Sequence, residues 1–252
     1  MALTVRIAIA VLALVAARST TRGEQGPPAT AVRYEHRTTA EPESIHVLEI
    51  EPRRARIVAA RALGEGLGRE TVSSIAERRG ALAAVNAGFF TIGGRYDGEP
   101  DGILKVGADW LSDAVLPRAA IGWNENGIDV QTGQVTVRWT VHVEGRAWPV
   151  DGINRLRSSA ERIVYTWPFH RSTLTDPRGT EVAVARNRVL SVRDGGDSPI
   201  PMDGFVYSIG PDVAERGRFR RGQRVRLSRE LEVAGAAEER ARWEGWTTSS
   251  AE

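Results

Sequence analysis

The way this chain parcels out its apolar residues constrains its fold more than any other feature. From Ser44 to Leu227 they fall in short runs, alternating or continuous, broken by Gly, Asn and Asp; only Thr71 to Arg79 repeats at helical spacing. In that stretch Val72, Ile75 and Ala76 share a face and Gly80 sits where a C-cap glycine belongs, which predicts one helix. Strands are expected at Ser44 to Ile50, with Ile45, Val47 and Glu49 on one face, at Ile57 to Ala60, and at Leu82 to Val85 as a buried run. Further strands are expected at 119–123, 128–131, 135–143, 162–166, 181–185, 188–193, 205–209 and 224–227, with Asn124 to Gly127 as a hairpin turn. Short strands joined by tight turns predict an α+β fold, a β-rich mixed domain with mostly antiparallel strands and few helices.

The first residues follow another rule. A short basic start, an unbroken apolar run from Ile7 to Ala17 and small residues at Val15 to Ala17 predict a signal peptide over 1–17, followed by a flexible leader over 18–43 and a folded domain over 44–252. The apolar run is shorter than the roughly 20 residues a membrane helix needs, so no stable membrane span is expected after signal cleavage, and the protein is expected to be secreted or periplasmic. Cysteine is absent, which excludes disulfides, thiolate metal ligands and a cysteine nucleophile. A net charge of +2, with Lys105 the sole lysine, gives no general pull toward a polyanion. The arginines from Arg216 to Arg229 alternate with Val225 and Leu227 as on a half-buried strand, so no nucleic-acid partner is expected.

Candidate chemistry gathers where the run Ala81 to Phe90 enters a loop holding Gly93, Gly94, Gly98, Pro100 and Gly102, with Asp97, Glu99 and Asp101 interleaved. Asn86 can hydrogen-bond a sugar hydroxyl or phosphate oxygen, or equally its own turn. Gly88 permits close backbone approach, and Phe89 or Phe90 can stack on a sugar face or pack in the core. Three carboxylates at i, i+2, i+4 can supply the acid and nucleophile pair of a glycosidase, or serve as solvated turn formers. Arg118 and Arg155 can clamp a phosphate. His170 is a loop histidine without an evident partner. The chain has no Gly-x-Ser-x-Gly elbow, no His-Glu-x-x-His pair, no phosphate-binding Gly-x-x-x-x-Gly-Lys loop and no His or Cys cluster with metal spacing, so neither a cofactor nor a metal is assigned.

The run Asn86-Ala-Gly-Phe-Phe90, the turn Pro100-Asp-Gly102, the segment Arg118 to Trp123, Gly152-Ile-Asn-Arg155, Val164-Tyr-Thr166 with Ser172-Thr173, and Ile200 to Val206 occur in the order found in the phosphodiester glycosidase family, which the chain resembles from about Ile45 onward. Such proteins normally continue into a second Arg-containing strand and an Asn-Leu-Asp-Gly-Gly-Gly-Ser loop. The nearest string here, Asp194-Gly-Gly-Asp-Ser198, reads as a hairpin turn, so the domain is expected to be C-terminally incomplete. The resemblance implies an exported hydrolase that cleaves a sugar from a sugar-1-phosphodiester in envelope or exopolysaccharide metabolism. It implies Asp97 and Asp101 as catalytic groups, and Asn86, Gly88, Phe90, Arg118, Asn154 and Arg155 as contacts to a carbohydrate or sugar-phosphate substrate. The alternative is a secreted carbohydrate-binding domain, or inactive remnant, without catalysis.

Overall fold

A computed structural model describes residues 5–7, 31–41, 43–114, 118–124 and 129–233. In chain order the strands are β1 (Val5–Ile7), β2 (Val32–Thr38), β3 (Ser44–Ile50), β4 (Phe89–Phe90), β5 (Pro100–Asp101), β6 (Leu104–Val106), β7 (Asp109–Ser112), β8 (Arg118–Trp123), β9 (Val130–Val143), β10 (Arg146–Val150), β11 (Gly152–Ile153), β12 (Arg162–Thr166), β13 (Thr180–Ala185), β14 (Arg188–Asp194), β15 (Gly204–Ile209) and β16 (Val225–Val233). The α-helix α1 (Val72–Arg79) stands between β3 and β4. The fold is therefore β-rich and mixed, and among the described residues the strand pairing is antiparallel except for β11 against β12.

Two sheets make the core. In one, β9 is the long central strand, flanked by β16 on one edge and by β8 and then β10 along the other. In the second the order is β11-β12-β15-β13-β14. The period-2 pattern of β9 puts Val135, Val137, Trp139, Val141 and Val143 on one buried face, where they meet Val164, Val182, Val184, Phe205, Tyr207 and Ile209 of the five-stranded sheet. Each such aliphatic side chain contributes roughly 1.5–3 kcal/mol on burial, so β9 is the principal staple between the sheets. The opposite face of the five-stranded sheet is also covered, with Ile163, Tyr165, Ala183 and Val206 packing against Tyr96 and Phe169 from loops. Inside this sheet the buried Glu181 carboxyl group accepts from the hydroxyls of Thr173 (2.8 Å), Thr175 (2.7 Å) and Ser208 (2.9 Å) and from the Ser198 N–H (2.7 Å), which satisfies its buried oxygens.

Helix α1 forms as its pattern predicts. The Thr71 hydroxyl accepts from the Ser74 N–H at 3.2 Å, and Gly80 adopts φ 60, sending its N–H back to Ala76 and Glu77 carbonyls. The hairpin expected around Asn124 to Gly127 is supported by β8 pairing β9 from Trp123↔Val130 onward; residues 125–128 lie outside the described residues.

Several expectations differ from the structure. The segments expected as two strands at 128–131 and 135–143 are one strand, β9, whose alternation is unbroken through Gly133. The expected leader contains β2, which pairs with β3 in full register from Val32↔Ile50 to Thr38↔Ser44. Of the expected signal peptide only Val5 to Ile7 is described, as a strand along the other edge of β3. The turn at Asp194 to Ser198 is real, with Asp197 at φ 56, but it does not close a hairpin: β14 is the sheet edge and β15 lies beyond β13, so the chain crosses its neighbour. Neither 57–60 nor 82–85 forms a strand, and Leu82 is 80% exposed. A strand-like sequence forms a strand only when a neighbouring strand takes up its backbone groups, and among the described residues Leu82 to Gly88 make no backbone hydrogen bond. The tail from Ala234 onward lies outside the described residues.

Candidate functional site

Strands β4 and β5 form a short hairpin in the register Phe89↔Asp101 and Phe90↔Pro100. Its tip is closed by the Thr91 N–H donating to Glu99 O and the Gly98 N–H donating to Thr91 O, both at 2.8 Å, and the Gly68 N–H donates to Asp97 O at 2.8 Å. Gly98 has φ +86, and a Cβ there would lie 2.0 Å from Gly68 O, so no other residue fits this crossing. Tyr96 anchors the hairpin: its buried ring packs on Phe169 and its hydroxyl donates to Thr173 O at 2.9 Å. The loop that the sequence marks as chemical is thus fastened to the outer face of the five-stranded sheet.

Its three carboxylates have three different environments. Asp97 accepts from the Gly93 N–H and from Arg69 Nε at 2.8 Å, and these bonds hold its carboxyl below the usual carboxylate range. A turn-capping, ion-paired aspartate of this kind is a poor proton donor, so of the catalytic roles expected for Asp97 the acid is the one its surroundings disfavour. Asp101 lies at the surface, 2.9 Å from Arg118 NH1, with both side chains about half exposed. Glu99, between them in sequence, is 7% exposed, and burial pushes its pKa up to about 7 against the opposing pull of the Arg155 guanidinium, the Leu156 N–H and the Thr91 hydroxyl. Deeper in the fold Asp113, one residue past β7, is raised to about 6 by burial, opposed by the Ile153 N–H and again by Arg155. Its Oδ1 has no hydrogen-bond partner among the described residues.

Arg155 is therefore not on an open surface, and its charge acts on both of these raised carboxyls. Its guanidinium is taken up by Glu161 at 2.9 and 3.0 Å and by Asp151 O at 2.7 Å, leaving Nε unpaired. Asn154 is 0% exposed at φ 52. Its Nδ2 donates to Trp110 O (3.3 Å), Leu111 O (3.1 Å) and Thr166 Oγ1 (2.9 Å), while Oδ1 accepts the Thr166 N–H (2.8 Å). The amide expected to contact substrate is instead consumed in tying β7 to β12. Arg118 remains the accessible guanidinium. Asn86, Gly88 and Phe90 are all exposed on the approach to the hairpin, beside Phe89 at 81% and Ile92 at 74% exposure. His170 stays outside the site, its Nδ1 accepting the Ser172 N–H at 3.2 Å.

Sequence reasoning weighed Glu99 without assigning it and passed over Asp113. For Asp113 the signal was a single acid at the end of an apolar strand, Trp110-Leu-Ser-Asp113, which is where a carboxyl becomes desolvated; Glu99, set between Asp97 and Asp101, carried no such mark.

The chain matches no family model. It is 24% identical over 139 residues, 54% of this chain, to an uncharacterized protein of Rickettsia conorii, of which the match covers 49%. Among solved structures it resembles a hypothetical protein from Synechocystis (TM-score 0.71, 18% identity, 87% of this chain and 42% of that one) and a chain described as a putative exported protein from Burkholderia pseudomallei K96243 (TM-score 0.66, 26% identity, 77% of this chain and 47% of that one). The chain thus spans about half the length of the relatives it matches. Among the described residues no helix is long and apolar enough to cross a membrane.

Proposed function

We propose that this chain is part of an exported hydrolase of the phosphodiester glycosidase type, cleaving a sugar from a sugar-1-phosphodiester, with Glu99 as the general acid. The observation that carries the reading is the Glu99 carboxyl with a pKa near 7 in a hairpin whose rim presents an ionic Asp101–Arg118 pair. A carboxylic acid that keeps its proton close to neutrality beside an exposed carboxylate is the division of labour that glycosidic bond cleavage needs. Arg118 binds the phosphate through its guanidinium. Glu99 gives its proton to the bridging oxygen as the bond from that oxygen to the anomeric carbon breaks. Water adds to the anomeric carbon, and Asp101 takes the proton that water loses. The products are a free sugar and a phosphomonoester. Asn86 and Phe90, on the open side of the hairpin, contact the sugar. Export is supported by the apolar N-terminal run and by the description of the Burkholderia protein.

The test is hydrolysis of a benzyl phosphodiester of N-acetylglucosamine 1-phosphate, followed by release of reducing sugar and of the phosphomonoester. Glu99→Gln is expected to lower kcat by about 10² to 10⁴, the range for loss of a positioned proton donor. Turnover that is unchanged in Glu99→Gln overturns the assignment of the acid. Saturable binding of the diester without turnover by the unaltered protein supports the non-catalytic alternative instead.

A further inference from the structure

The chain has four histidines, and two of them meet across the β2–β3 ladder. His36 and His46 are direct register partners, and their rings stack at 4.5 Å between centroids with only 5° between planes. Residues opposite each other in an antiparallel pair keep their Cβ atoms about 4.5–5.5 Å apart, so the two imidazoles leave the sheet side by side. Both Nε2 atoms converge on one oxygen, the Ser44 hydroxyl, at 2.7 Å from His36 and 3.2 Å from His46. Behind His46, the Tyr34 hydroxyl is 2.7 Å from Nδ1. When Nδ1–H donates to that hydroxyl, the tautomer leaves the Nε2 lone pair free and the ring held in place.

We propose that His36 and His46 form a binding site for a late first-row divalent cation, of the Zn²⁺, Ni²⁺ or Cu²⁺ class, with Tyr34 as the positioning residue. Neutral imidazole is a preferred ligand for these ions, and the donor set lacks the thiolates or multiple carboxylates that would favour Cu(I) or Ca²⁺. Metal–nitrogen bonds of about 2.0–2.1 Å lie in the plane of each ring, so binding requires the two imidazoles to turn out of their parallel stack and the Ser44 hydroxyl to swing off the point it now holds, rotamer changes open to exposed side chains. Among the described residues no third His, Asp or Glu joins the pair, so the remaining coordination positions belong to water or to an incoming ligand. An open metal position here has somewhere to take a ligand from. Tyr34 and His46 also line a cavity of about 860 Å³ shared with Leu48, Arg54 and the segment Leu82 to Val85. The other two histidines stand apart from the pair, His142 on β9 and His170 in the segment after β12.

The test is titration of tag-free, chelator-treated protein with NiCl₂ and ZnCl₂ by calorimetry, and with CuSO₄ by electron paramagnetic resonance. One ion per chain is expected, with a copper spectrum showing two equivalent nitrogen ligands. His36→Ala and His46→Ala are each expected to weaken binding more than about tenfold, and Tyr34→Phe by about tenfold, the usual effect of removing a residue that orients a histidine ligand. His170→Ala serves as the control and is expected to bind as the unaltered protein does. No saturable binding by the unaltered protein, or binding that survives in the His36→Ala/His46→Ala double variant, overturns the proposal. The hairpin is exposed and these substitutions remove no core packing, so circular dichroism is expected to be unchanged throughout.

Discussion

Glu99→Gln tests the buried carboxyl by stability alone, with no knowledge of the substrate. The folded pKa of about 7 stands above the ordinary 4.5, so the folded chain holds a proton that the unfolded chain releases. The stabilisation from keeping Glu99 neutral is complete below about pH 4.5 and is lost as the pH rises through about 7. Integrating the linkage, the unaltered protein loses about 2–3 kcal/mol from this group between about pH 5 and about pH 8.5. Glutamine is nearly isosteric and cannot ionise, so that part of the slope disappears in the variant. Asp113, raised from 3.8 to about 6, acts with the same sign and leaves about 1 kcal/mol of pH dependence over the same range. Urea unfolding followed by tryptophan fluorescence reads the difference directly: with a slope of about 1–3 kcal/mol per molar urea, the midpoint of the unaltered protein falls by about 1 M or more relative to the variant on going to high pH. Parallel pH profiles for the two proteins would refute the claim that Glu99 is desolvated and protonated, and with it the acid role.

Arg118→Ala removes an ion pair in which both partners are about half exposed, so stability is expected to change by less than about 1 kcal/mol while KM for the phosphodiester rises about tenfold or more; a large loss of stability with unchanged KM would move phosphate binding elsewhere. Trp139→Ala opens a cavity at the centre of β9, where the ring meets Trp110 edge-on at 6.0 Å, and is expected to cost about 3–5 kcal/mol in urea unfolding; a cost under about 1 kcal/mol would mean the sheets are not stapled there. Leu82→Lys with Val85→Lys places charge on an exposed, unpaired apolar segment and is expected to reduce dye binding and self-association in light scattering, with stability kept within about 0.5 kcal/mol. Undiminished self-association would show that another surface drives it.

The legible parts of this fold are those whose partners lie close in sequence or whose alternation demands one buried face. The alternation of Val135 to Val143 specifies one face of β9 by itself, and Thr71 and Gly80 bracket α1 with bonds made inside the helix. Leu82 to Val85 misled because its apolarity says what the segment needs, not whether a partner is there to provide it. Leu82 and Val85 stay exposed, at 80% and 55%. The carboxylates show the same distinction within the site. Composition and spacing brought Asp97, Glu99 and Asp101 to attention as equals, but acidity depends on what surrounds each one. An N–H and a guanidinium hold Asp97 below the usual carboxylate range, while burial, helped by the nearby Asp101 charge, pushes Glu99 up. The histidine pair was illegible for a related reason, since ten positions separate His36 from His46 and only the hairpin register turns that spacing into contact. A histidine equidistant with another from a tight turn is therefore a pattern to test as a pair wherever a two-stranded ribbon is expected, because the register that aligns the strands also aligns their nitrogens.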